Sequence, residues 1–114
     1  MKTNVYKDYP VFSMGGNVTR RLLACNQGEN GYTLNCLTAK AGDSAPLHSH
    51  PHLQVVYMIE GEGVFHVGDE TMTISTGDVV EIDSNVPHTF DSFSKDSVWL
   101  EFFTPVREDF LPGK

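Results

Sequence analysis

The stretch "VFHVGDETMTIS", Val64 to Ser75, decides the fold. Two short runs rich in β-branched residues, "VFHV" and "TMTI", flank "GDE", and a Gly-Asp turn between such runs marks a β-hairpin. Outward from this hairpin the same pattern recurs, in short segments separated by Gly, Pro, Asn or Asp. The predicted strands are Val18 to Cys25, Tyr32 to Ala39, Gln54 to Glu60, Gly63 to Val67, Thr71 to Ser75, Val79 to Asp83, His88 to Phe93 and Ser97 to Phe103. So many strands in 114 residues predict an all-β sandwich or closed barrel. Helical periodicity is missing apart from a short turn in "REDF", near the C-terminus.

The chain length predicts one domain that buries roughly two-thirds of its extended surface. Residues 1–17 read as an N-terminal arm that pairs with its own barrel or with a second subunit, 18–104 as the barrel and 105–114 as a C-terminal tail. An apolar share of 39% and a charged share of 20% suit a soluble globular domain. A net charge of -7 opposes the phosphate backbone of nucleic acid and anionic membranes alike, so neither is an expected partner. The N-terminal "MKTNVYKDYP" has no signal-like apolar run, and the expected location is the cytoplasm. Cys25 and Cys36 lack CxxC spacing and read as buried, reduced thiols.

Chemistry concentrates in "HSHPHLQ", His48 to Gln54. Strand alternation puts His48 and His50 on one face, and Gln54 with them if the chain stays extended. His52 has the same parity, but Pro51 favours an edge or bulge that turns it away. Imidazoles at i and i+2 converge on an ion as transition metals require, whereas a lone HxH is often only a polar turn.

The framing of this cluster carries a family resemblance. "GDSAPLHSHPHLQVVYMIEG", Gly42 to Gly61, resembles the first cupin motif, with Gln54 where Glu is usual. "GDVVEIDSNVPH", Gly77 to His88, resembles the second, departing from it at Asp83, Asn85 and, beyond it, Ser92. The resemblance implies a small antiparallel jelly-roll β-barrel holding one divalent transition metal (Zn, Ni, Mn, Fe or Co) on His48, His50, Gln54 and His88. It also implies a homodimer. Within the cupins, "HSHPHLQ", "NVPH" and "LEFFTPVREDFL" look like the small pectin-degradation enzymes that open 4,5-unsaturated uronates to linear 5-keto-4-deoxyuronates. That likeness assigns catalysis to Glu101 and Arg107, and substrate contact to Phe103 and Arg107. Asp is usual in that family where Glu101 stands, and Glu where Leu53 stands.

Residue chemistry runs parallel to the resemblance. Three neutral imidazoles and an amide leave a divalent ion its full charge, which favours anionic ligands over redox tuning. Glu101 interrupts the apolar run "VWLEFF" and shares parity with Trp99 and Phe103, so burial should raise its pKa towards that of a neutral-pH acid. The structural alternative is a strand-end carboxylate paired with Arg107. Arg107 suits a two-pronged carboxylate clamp, or a surface charge, and Phe103 suits the core. Tyr57 and His66 read as strand filler. The leading function is a metal-dependent enzyme acting on a small anionic sugar. Its rivals are a dioxygenase on the same ligands and a non-catalytic small-molecule-binding cupin.

Overall fold

The computed structural model describes Met1, Thr3, Asn4 and residues 11–110. Residues 5–10 of the predicted arm and 111–114 of the tail lie outside it. Nine strands follow in order: β1 (Val11–Ser13), β2 (Thr19–Asn26), β3 (Tyr32–Ala39), β4 (Leu53–Glu60), β5 (Glu62–Val67), β6 (Glu70–Ser75), β7 (Val79–Ile82), β8 (His88–Phe93) and β9 (Ser97–Thr104). The tail forms a 3-10 turn at Glu108–Phe110, within the "REDF" segment. All eight predicted strands form, with ends displaced by a residue or so. β1 adds a short edge strand in the predicted arm, its Val11–Ser13 running antiparallel to Thr19–Arg21.

The strands make a six-stranded sheet, β1-β2-β3-β9-β4-β7, and a three-stranded sheet, β6-β5-β8, with every pairing antiparallel. This is a jelly-roll β fold. The central hairpin pairs Val67 with Glu70 across Gly68-Asp69. Gly68 has φ 57°, a left-handed value that a two-residue hairpin turn needs and glycine adopts without steric cost.

Alternation sorts the side chains. Gln54, Val56 and Met58 of β4, Trp99 and Phe103 of β9, and Thr33, Asn35, Leu37 and Ala39 of β3 are all buried. One end of the interior is an aromatic pile, in which Phe90 lies 4.6 Å from Phe65, 4.6 Å from Phe93 and 5.0 Å from Trp99, ring centre to ring centre. The other end, at the starts of β3, β4 and β8 and the end of β9, is lined with polar groups.

Two backbone links close that polar end. His48 and His88 exchange N–H···O=C bonds of 3.2 and 2.8 Å, and the Asn85 N–H donates to the His50 carbonyl at 2.7 Å. Asn85, at a departure from the second motif, has φ 63°, a conformation asparagine tolerates better than most residues.

The cysteine expectation needs one correction. Neither cysteine is in a disulfide and Cys36 is buried, but Cys25 is only half-buried, because β2 slips register between Leu22 and Ala24 and the alternation ahead of Cys25 is lost.

Candidate metal centre

His48 and His50 leave the loop before β4, Gln54 begins the inner face of β4, and His88 begins β8. A ligating nitrogen from each of His48, His50 and His88 lies within 4.8 Å of the others. Each ring hands its Nδ1 to a main-chain carbonyl: His48 to Pro46 at 3.0 Å, His50 to His52 at 3.2 Å and His88 to Val86 at 2.8 Å. Carbonyls only accept, so Nδ1 carries the proton in His48 and His88 and their Nε2 presents its lone pair, whereas His50 has an oxygen acceptor at each nitrogen.

That arrangement fits a cation. His88 Nε2 is buried and has no hydrogen-bond partner. Gln54 Oε1 lies 2.9 Å from His50 Nε2. The pair forms an Nε2–H···Oε1 hydrogen bond in one tautomer, and with the His50 proton on Nδ1 both atoms are free to share a cation. Burial lowers the His50 pKa from its ordinary value and lowers that of His88 to about 4, so both rings are neutral ligands near pH 7. His52 stands apart, as Pro51 suggested, with its Nε2 on the Val106 carbonyl at 3.1 Å.

Glu101 and Arg107 face the same cavity, of about 110 Å³, as His48, Gln54 and His88. The Trp99 indole N–H donates to Glu101 Oε2 at 2.7 Å. Burial raises the Glu101 pKa; the indole bond and the charges of His48, Arg107 and Arg20 pull the other way and do not overcome it. Arg107 is forked by Asp109 through Nε at 2.9 Å and Nη2 at 2.6 Å, and its guanidinium sits 4.8 Å from the Phe103 ring centre. The Arg107 bond holds Asp109 below the usual carboxylate range. Phe103, at 1% exposure, backs Arg107 and the His50 ring, 5.3 Å away. Tyr57 is exposed, and His66 lies 3.8 Å from Asp91.

Sequence reasoning missed Arg20, Asn35 and Asp109. Arg20 is 6% exposed and 4.7 Å from the Phe12 ring centre, and its guanidinium feels Asp109, Arg107 and Glu101. The alternations Val18/Arg20/Leu22 and Thr33/Asn35/Leu37 carried the signal, since each puts a polar side chain at an inward position.

Comparison with known proteins agrees with this geometry. Residues 36–103 match the family model described as a cupin domain. The chain belongs to the cupin family. Among curated proteins it is similar to L-ectoine synthase of Hahella chejuensis, with 33% identity over 79 residues, covering 68% of this chain and 60% of that protein. The chain thus spans less than two-thirds of that relative. Among solved structures, an RmlC-like cupin from Shewanella frigidimarina superposes with TM-score 0.87 at 23% identity, over 97% of this chain and 96% of that one. KdgF from Halomonas sp. superposes with TM-score 0.86 at 20% identity, over 97% of this chain and 99% of that one. At these identities the two likenesses speak for the fold alone. No helix among the described residues is long and apolar enough to cross a membrane.

Proposed function

We propose that this cupin is a metal-dependent enzyme that converts a 4,5-unsaturated galacturonate, or a related uronate, to the linear 5-keto-4-deoxyuronate. The observation that carries the reading is the meeting of an acid and a guanidinium, Glu101 and Arg107, in one cavity with His48, Gln54 and His88, two of them members of the three-histidine cluster. The likeness of "HSHPHLQ", "NVPH" and the last strand to the pectin-degradation cupins supports it.

A divalent ion on His48, His50, Gln54 and His88 supplies Lewis acidity and attraction for anionic oxygen. Arg107, oriented by Asp109 and Phe103, holds the substrate carboxylate. Glu101, its pKa raised by burial, gives its proton to C4 of the C4=C5 enol ether while water adds at C5. The resulting hemiketal breaks its bond from C5 to the ring oxygen and leaves a ketone at C5. The ring oxygen stays on C1, where loss of water gives the aldehyde. One water enters and one leaves, the proton returns to Glu101, and no electrons are exchanged.

The test pairs elemental analysis with loss of the enol-ether ultraviolet absorbance, with and without chelator. The expected result is about one metal per chain and chelator-sensitive loss of absorbance. Metal without turnover overturns the ring-opening reading in favour of binding or oxygen chemistry at the same histidines.

A further inference from the structure

Asn35 is the polar group whose burial is hardest to account for. It is 0% exposed, and neither its Nδ2 nor its Oδ1 has a hydrogen-bond partner. It lies on the inner face of β3 between Thr33 and Leu37, a position where an aliphatic side chain would pack without leaving polar atoms unbonded.

Its place in the sheet gives it one chemically apt neighbour. Asn35 is directly opposite Glu101 in the antiparallel register of β3 and β9. Opposed residues have Cβ atoms about 4.5–5.5 Å apart on the same face, so amide and carboxyl come within reach through side-chain rotation alone. Trp99 already fixes Oε2 of that carboxyl.

The two groups also match in donors and acceptors. A primary amide offers an N–H and a C=O, and a protonated carboxyl offers an O–H and a C=O, so the pair can close two hydrogen bonds. An ionised carboxylate accepts only, and it would set its charge against Asn35 Oδ1. The groups facing Glu101 from elsewhere are Arg20 on β2, Arg107 in the tail and His48 in the loop before β4, and all of them favour the ionised form.

We propose that Asn35 is a positioning residue for Glu101, its Nδ2–H joining the Trp99 indole on Oε2 and its Oδ1 receiving the proton-bearing Oε1–H, so that the acid keeps its proton on Oε1 until substrate arrives. Asn35 itself touches no substrate. The inference rests on the reading of Glu101 as proton donor and adds which group holds that proton in place.

The test is Asn35→Leu, with Asn35→Val, which suits a strand, as the variant to use if leucine disrupts packing. The first readout is the protonated-carboxyl stretch in infrared difference spectra, assigned to Glu101 by its loss in Glu101→Gln. Loss of a hydrogen bond should move it to higher frequency. The second readout is turnover of the unsaturated uronate, where kcat should fall about 10- to 100-fold with KM within about threefold and metal content unchanged. An unmoved band overturns the pairing, and a moved band with unchanged kcat overturns the positioning role. The infrared arm needs no substrate. A moved band in a protein whose wild type does not turn over the uronate supports the pairing and puts the failure on the ring-opening reading.

Discussion

The two ends of the cavity are built by different means. At the histidine end, each ring is oriented by a main-chain carbonyl within two residues of it: Pro46 for His48, His52 for His50 and Val86 for His88. At the acid end, side chains rather than main-chain carbonyls orient one another, with Trp99 on Glu101, Asp109 on Arg107 and Phe103 behind Arg107. Carbonyl-oriented ligands depend little on neighbouring side chains. The acid end is a mutual arrangement, which a change of one member propagates through.

Breaking the histidine end should cost metal binding and turnover together, the most complete loss. His88→Ala removes a ligand that its backbone bond cannot replace, and metal affinity should fall on the order of 100-fold or more, read as metal content after dialysis. Glu101→Gln breaks the acid end alone: kcat should fall about 100- to 10,000-fold while the metal stays bound. Loss of metal in that variant would mean that the two ends are not independent. Arg107→Lys keeps the charge but loses the fork to Asp109, and KM should rise about tenfold with a smaller change in kcat.

The smallest effect separates the ends by sign. His88 has its pKa lowered from 6.5 to about 4, so the unfolded chain binds the proton more readily. Its contribution is complete above pH 6.5 and is lost as pH falls towards 4. Glu101, with its pKa raised, contributes in the opposite sense, through stability present below its ordinary 4.5 and lost as pH rises through its folded value. Thermal unfolding of chelated protein across pH 4 to 8 should therefore weaken on the acid side, and Glu101→Gln should flatten only the alkaline limb.

The same contrast explains what was legible in the sequence. His48, His50 and His88 stood out because short-range spacing and backbone bonds place them. Strand parity also placed Glu101 beside Trp99, since β9 has no register slip against β3. Arg20 and Asn35 stayed hidden because a polar residue at an inward position reads as a break in the hydrophobic pattern until the opposite strand is known. Asp109 lies beyond the last strand, where periodicity has nothing to say, and Cys25 follows a slip that alternation cannot anticipate.

The main-chain bridge between His48 and His88 has a consequence for the order of folding. It joins a loop of the six-stranded sheet to the first residue of β8 in the smaller sheet, so the histidine nitrogens converge only after the small sheet has closed over the large one. Such closure is a long-range event, slow relative to forming the β5–β6 hairpin. A metal ion that binds only the closed chain therefore stabilises the finished barrel without rewarding any earlier intermediate. Its uptake during refolding would time the final closure of the barrel.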